Sequence, residues 1–168
     1  MSQGDTTPQI LDSADYQAQM QALFDAIKPR LLALWPGARV EHVGSSAVPG
    51  AASKGDLDIC MAVDAAAHAA AVEALKAAGY AEKADTLRTP ALCMLEWHEA
   101  GSEHAVQLIA AGSEFEDFIA FRELLCRRPD LVERYNALKR EMAPAGMDAY
   151  RAAKAAFIEQ ALAAEPPA

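Results

Sequence analysis

The chain has 168 residues, 52% of them hydrophobic, and a formal net charge of −9, which is enough apolar material for one domain with a buried core and too little length for two comfortable ones. That acidity excludes a general polynucleotide binder, whose affinity comes largely from Lys and Arg neutralising phosphates, and leaves room for a small, metal-escorted anion. The polar stretch 1–8 lacks the apolar centre of a signal peptide and no uninterrupted apolar span reaches membrane length. Cys60, Cys93 and Cys126 form no C-x-x-C pair, so the reading is a soluble, cytoplasmic protein with reduced core thiols.

Residues 1–10 and 165–168 read as flexible tails around a single domain at 11–164. After Asp12 and Ser13, either of which can cap a helix, Tyr16, Met20, Leu23, Phe24, Ile27, Leu31 and Leu34 recur at helical spacing. This predicts a first amphipathic helix bent at Pro29 and ended by Pro36-Gly37. Residues 38–43 read as a short strand and 57–63 as a second, with Leu57, Ile59, Met61 and Val63 on one face and Asp58, Cys60 and Ala62 on the other. Asp64 is placed to cap an Ala-rich helix reaching Ala78, and Gly79 to stop it in a left-handed conformation. Segments 80–85, 91–98 and 103–111 read as strands, the last two joined as a hairpin through Gly101-Ser102. The remainder is helical: Ser113 with Glu116 and Asp130 with Glu133 have the form of capping boxes, and a last helix spans about 148–164. Strands first and helices last make an α+β domain, a mixed β-sheet with helices packed on it and a C-terminal helical segment.

The chemistry concentrates in residues 43–59. If 57–63 is a strand, Asp56 and Asp58 share a face with Cα atoms roughly 6 to 7 Å apart, a geometry that suits a hard divalent cation. Upstream, Gly44, Ser45 and Ser46 open a turn whose N–H groups and hydroxyls can hold a phosphate. A phosphate cradle followed by paired carboxylates is the minimum equipment for nucleotidyl transfer; a Gly/Ser/Pro loop leading into a solvated strand is the alternative.

This stretch resembles the signature of the GrpB family, close to V-E-H-I-G-S-T-A-V-P-G-L-x-x-K-x-x-x-D-I. Val40, Glu41, His42, Val43, Gly44, Ser45, Ala47, Val48, Pro49, Gly50, Lys54, Asp58 and Ile59 all fit it. The likeness continues at Gly112-Ser113, Phe121 to Leu125, Arg128 to Asp130, Tyr135, Leu138-Lys139, Tyr150, Ala153-Lys154 and Phe157-Ile158, and so covers most of the chain. The family is similar in turn to the polymerase-β-like nucleotidyltransferase superfamily, marked by a G-S turn followed by D-x-D on a strand. The resemblance implies that fold, with Mg²⁺ or Mn²⁺ at Asp56 and Asp58, a nucleoside triphosphate at Gly44, Ser45, Ser46 and Lys54, and an acceptor the sequence does not name. It also implies a third carboxylate on a neighbouring strand. The matching position here is Gln107, in Ala105-Val106-Gln107-Leu108-Ile109, and an amide can contact a metal but cannot readily take a proton. Two functions follow: a metal-dependent nucleotidyltransferase, or a catalytically silent nucleotide-binding or accessory module of the kind found fused to dephospho-CoA kinase.

The remaining candidates each carry two readings. Glu96 either supplies the missing charge or is a surface carboxylate; His42 either supports the site or is a hydrogen-bonded core histidine. Arg88, Arg122 and Lys154 are cations able to reach a cleft between sheet and helices. Arg127, Arg128 and Lys139 read as members of solvated faces and His68 as a surface residue. Gly44-Ser45-Ser46 imitates a serine nucleophile but no base stands beside it in sequence, and the P-loop, dinucleotide and zinc signatures are absent.

Overall fold

The computed structural model describes residues 7–164. Five strands, β1 (Arg39–Val43), β2 (Asp58–Val63), β3 (Ala81–Glu82), β4 (Leu92–Trp97) and β5 (His104–Ala110), form one mixed sheet in the order β1-β2-β5-β4-β3. β2 and β5 run parallel and the other neighbours antiparallel. The helices are α1 (Gln17–Leu34), α2 (His68–Ala77), α3 (Asp117–Arg127), α4 (Pro129–Met142) and α5 (Met147–Ala164).

The alternation read in the sequence sets the layers. Ile59, Met61, Val106, Leu108 and Leu95 point to one face, where α1 contributes Phe24, Ile27 and Leu31 and α2 contributes Ala71, Val72 and Leu75. On the other face Val43, Cys60, Ala62 and Ile109 meet Ile119 of α3. β2 is therefore covered on both sides and buried from Ile59 to Val63, as a central strand between helical layers must be. A third cluster lies away from the sheet, where Val48 and Ala51 of the loop between β1 and β2 pack among Leu125, Leu131, Tyr135 and Ala161. Each large side chain withdrawn from water in these layers is worth roughly 1.5 to 3 kcal/mol. The third cluster thus fastens the loop to the helical segment.

Several expectations need correction. β3 is only Ala81–Glu82, with Lys83 N still donating to Met94 O at 2.8 Å before the chain turns at 84–85. Helix caps follow backbone geometry more than the side-chain signals. Asp64 precedes a short 3-10 turn and closes it through its carbonyl, which accepts from Ala67 N, its side chain making no cap bond. Ser113 likewise makes no cap bond, Glu116 turning instead to Gly112 N, and Asp130 stands in the first turn behind Pro129, which starts α4. Gly79 does stop α2 in the left-handed region, at φ 117°, with Tyr80 N donating to Leu75 O. Pro29 lies inside a continuous α1. Of the tails, residues 1–6 and 165–168 lie outside the described residues, while Pro8 is buried and Leu11 pairs with Ser53 in a two-bond bridge. Cys60 and Cys93 are core thiols but Cys126 is exposed. Among the described residues no helix is long and apolar enough to cross a membrane.

Two residues read as solvated are buried. His68 is 1% exposed because the turn before α2 rotates it onto the sheet, where Nε2–H donates to Leu108 O at 2.9 Å. Lys139 is also 1% exposed. It falls on the stripe of Leu131 and Tyr135 at steps of four, so helical periodicity carries it inward with its apolar neighbours.

Candidate functional site

The site forms where β1 and β2 enter the sheet. Gly44 follows β1 with φ 74° and ψ −175°, a conformation essentially confined to glycine. A Cβ there would stand 2.7 Å from Asp58 Oδ2. The bare glycine therefore lets the turn lie directly on the carboxylate. Ser45–Ala47 then makes one 3-10 turn.

The loop that follows is held from α1, with the residue before it, and from α4. Gln17 Nε2 donates to Ser45 O (3.1 Å) and Val48 O (2.6 Å), and Tyr16 OH to Ala51 O (2.8 Å). Asn136 of α4 clamps it at two points, Nδ2 donating to Gly50 O at 2.9 Å and Oδ1 accepting from Ala52 N at 2.8 Å. Lys139 Nζ donates to Ser45 Oγ at 3.0 Å and to Ala52 O, and lies 4.2 Å from the Tyr135 ring centroid. Because Ser45 Oγ accepts from Lys139, the serine keeps its own O–H to donate outward. Burial drives the Lys139 pKa down to about 7, helped by Lys154 and Arg140.

Ser45 and Ser46 have different surroundings. Ser46 is buried, its Oγ 2.7 Å from His42 Nε2, while His42 Nδ1 lies 3.0 Å from Gln21 Oε1. An amide oxygen only accepts, so Nδ1 carries the proton and Nε2 accepts from the serine. Burial, with Arg122 nearby, pushes His42 down to about 4 and keeps it neutral. A base for a serine thus exists four residues upstream, unseen in the sequence. Yet Ser46 borders neither cavity described below, and the pair serves the core, stacked on Phe24 at 5.0 Å.

Asp58 opens β2 and Asp56 stands two residues before it, outside the strand. Asp56 is exposed and pairs with Lys54 at 3.4 Å. Burial raises the Asp58 pKa, and the Asp56 charge adds to that; Lys154, a hydrogen bond from Gln107 and Lys54 oppose it. Gln107 sits opposite Cys60 in the parallel β2–β5 pairing, hence on the Asp58 face. Its Oε1 is buried with no hydrogen-bond partner among the described residues.

Both aspartates line two cavities. One, about 370 Å³, is walled by Gly44, Ser45, Phe115, Phe118, Phe121, Tyr135, Arg122 and Lys154. The other, about 470 Å³, opens at the end of the sheet among Lys54, Lys83, Glu96, His98 and Glu103. Lys54 therefore faces the second cavity. Lys154 carries no ion pair within 4 Å among the described residues; burial lowers its pKa while Asp58 raises it. Arg122 is engaged, donating to Glu41 Oε2 (2.8 Å) and His42 O (2.9 Å). Arg88 is away from the cleft, tied to Glu82 at 2.9 Å.

The donor set fits a cation that a ligand must help to hold. No group of three or more His, Cys, Asp or Glu side chains converges among the described residues. Two carboxylates beside an unpartnered amide oxygen match the way Mg²⁺ is usually bound, through one or two carboxylates with the remaining positions filled by substrate phosphates and water. Lys139 and the Asn136 clamp are what the sequence reading missed. The signal for Lys139 was its spacing from Tyr135; for Asn136 there was none, since its partners lie 84 and 86 residues away.

Comparison with known proteins gives a consistent fold. Residues 11–164 match the family model described as GrpB protein. A UPF0157 protein of Vibrio cholerae serotype O1 is 45% identical over 154 residues, 92% of this chain and 81% of that one. The crystal structure of conserved protein GrpB from Enterococcus faecalis superposes with a TM-score of 0.74 at 22% identity, covering 93% of this chain and 98% of that one. A structure of the Cid1 poly(U) polymerase bound to MgATP gives a TM-score of 0.50 at 17% identity, over 73% of this chain and 40% of that one. The fold is nucleotidyltransferase-like.

Proposed function

The chain belongs to the GrpB family, and we propose that it is a metal-dependent nucleotidyltransferase that moves a nucleotidyl group from a nucleoside triphosphate to a small acceptor. The observation that carries this reading is the meeting of two unlike cavities at Asp56 and Asp58. The aromatic cavity suits the nucleotide: Phe115, Phe118 and Phe121 offer rings for a base, and Gly44, the Ser45 hydroxyl and Lys154 surround the place for phosphates. The fold's likeness to Cid1, whose structure holds MgATP, supports the same choice.

Asp56, Asp58 and the Gln107 oxygen would hold a divalent cation, Mg²⁺ or Mn²⁺, which supplies charge neutralisation at the phosphates. The chain's own groups do the rest. Gly44 and Ser45 hold the phosphates against Asp58, Lys154 balances their charge, and the aromatic wall keeps water from the transferred phosphoryl group. An acceptor hydroxyl oxygen forms a bond to the α-phosphorus as the bond from that phosphorus to the α,β-bridging oxygen breaks. Pyrophosphate leaves with the electron pair, and the hydroxyl proton passes to solvent.

A native-state ligand raises stability by RT ln(1 + [L]/Kd), so thermal denaturation across the common nucleoside triphosphates, with and without Mg²⁺, tests the reading. The melting temperature rises when both are present and the rise disappears in Asp58→Asn. An unchanged melting temperature for the parent protein at millimolar nucleotide would refute it. The silent-module alternative is favoured by Gln107, which provides no third negative charge. Gln107→Asp separates the two: for an enzyme it tightens Mn²⁺ binding and raises turnover, at some cost in metal-free stability from crowded carboxylates. A variant that binds Mn²⁺ more tightly yet consumes no nucleotide with any acceptor favours the module.

A further inference from the structure

The cavity on the far side of the aspartates has chemistry of its own. β-sheet pairing aligns Asp58 with Ala105 and Ala105 with Glu96, so the three side chains stand in one row on one face. Two strand spacings separate the outer Cα atoms by about 10 Å, and the residue between them is an alanine. Its methyl leaves the space above the row open, and Glu96 borders the same cavity as Asp58. Glu103 and His98 stand on the loop beside it, and none of these three side chains has a hydrogen bond or ion pair among the described residues. Trp97, also in the wall, has a buried indole N–H without a partner among the described residues. Four carboxylates line the cavity against two lysines, one of which is paired with Asp56.

Resting on the nucleotidyl-transfer reading, we propose that this cavity is the acceptor subsite and that it takes a small hydroxylated molecule bearing a protonated amine. It shares Asp56 and Asp58 with the aromatic cavity and is otherwise lined by different residues, so an acceptor hydroxyl held in it meets the cation site from outside the nucleotide cavity. Its volume of about 470 Å³ is of ligand-pocket size and too small for a folded partner. The free carboxylates of Glu96 and Glu103 disfavour phosphorylated or polymeric anions and pair with an ammonium group. Glu96 is a binding residue here, and the reacting centre lies at the other end of its row.

The test uses the full chain, first shown by its Mg²⁺-dependent thermal shift to bind nucleotide, and three probes built on one hexose ring: glucosamine, glucose and glucose 6-phosphate. Calorimetric titration in the presence of Mg²⁺ and a non-hydrolysable triphosphate should rank glucosamine above glucose and glucose 6-phosphate last. Glu96→Gln and Glu103→Gln, both confirmed folded by circular dichroism, should each lower glucosamine affinity several-fold and leave glucose unchanged. Equal binding of the three probes, a preference for glucose 6-phosphate, or no binding to a protein that does bind nucleotide overturns the acceptor subsite alone. Failure of the preliminary nucleotide shift instead removes the nucleotidyl-transfer reading and this inference with it.

Discussion

The two sides of the aspartate pair differ in how firmly they are held. Residues 44–53 are tied by Tyr16, Gln17, Asn136 and Lys139, side chains from outside the loop whose bonds reach backbone carbonyls and amides across long stretches of chain. The rim at 96–103 has a single tie of this kind among the described residues, His104 Nδ1 donating to Ser102 O at 2.6 Å, and its Glu96, His98 and Glu103 side chains stand without partners among the described residues. A loop that must fit one constant group, a phosphate, gains from having its donors fixed in advance. A rim that must recognise the variable substrate keeps its polar groups free. The contrast assigns rigidity to the donor side and selectivity to the acceptor side.

The strongest attempt to break the comparison is Gly44→Ala. The added Cβ meets Asp58 Oδ2 at 2.7 Å and holds a backbone conformation closed to other residues, a strain of about 1 to 3 kcal/mol before the contact itself is counted. Urea denaturation should show a loss at or above the top of that range, with Mg²⁺–nucleotide binding abolished. Asn136→Ala comes next. It strands Gly50 O and Ala52 N and should cost about 1 to 3 kcal/mol, whereas Glu103→Ala on the rim should stay within about 0.5 kcal/mol. Equal losses from the two substitutions would erase the distinction between clamped loop and open rim.

Lys139 sharpens the comparison through pH. Its pKa falls from an ordinary 10.5 to about 7 on folding, so between those values the unfolded chain binds the extra proton. Stability should therefore rise with pH through that window, and the penalty of the buried charge is fully present below about 7. The slope in parallel pH-dependent melts should be steeper for the parent than for Lys139→Met; coincident slopes would mean the ammonium is not desolvated. Ser45→Ala has the smallest effect on the fold. It should shift stability by under about 1 kcal/mol, since only an acceptor for Lys139 is lost, but weaken Mg²⁺–nucleotide binding measurably by calorimetry.

What the sequence could reveal follows from the range of each interaction. Period-two alternation in 57–63 and the helical recurrence from Tyr16 to Leu34 are local signals, and both became the layers around β2. The row Asp58, Ala105, Glu96 was half legible: Gln107 and Glu96 were identified on neighbouring strands, but their register with Asp58 depends on pairing that no local pattern encodes. Asp64, Ser113 and Asp130 had side chains suited to capping, and short 3-10 turns or a leading proline displaced them. Charge misled at Lys139, where a polar residue type outweighed the apolar stripe it occupies. The serine pair was indivisible by sequence, and only the fold turns Ser46 inward to His42 and leaves Ser45 at the cavity.

The central claim is that Asp56 and Asp58 hold a cation completed by nucleotide phosphates. Electron paramagnetic resonance of Mn²⁺ titrated into the protein measures this directly, with and without a non-hydrolysable triphosphate. Weak Mn²⁺ binding by the parent alone, tightened by nucleotide beyond the ion's affinity for free nucleotide and lost in Asp58→Asn, is the predicted result. Mn²⁺ binding that ignores the nucleotide, or that survives Asp58→Asn unchanged, would contradict it.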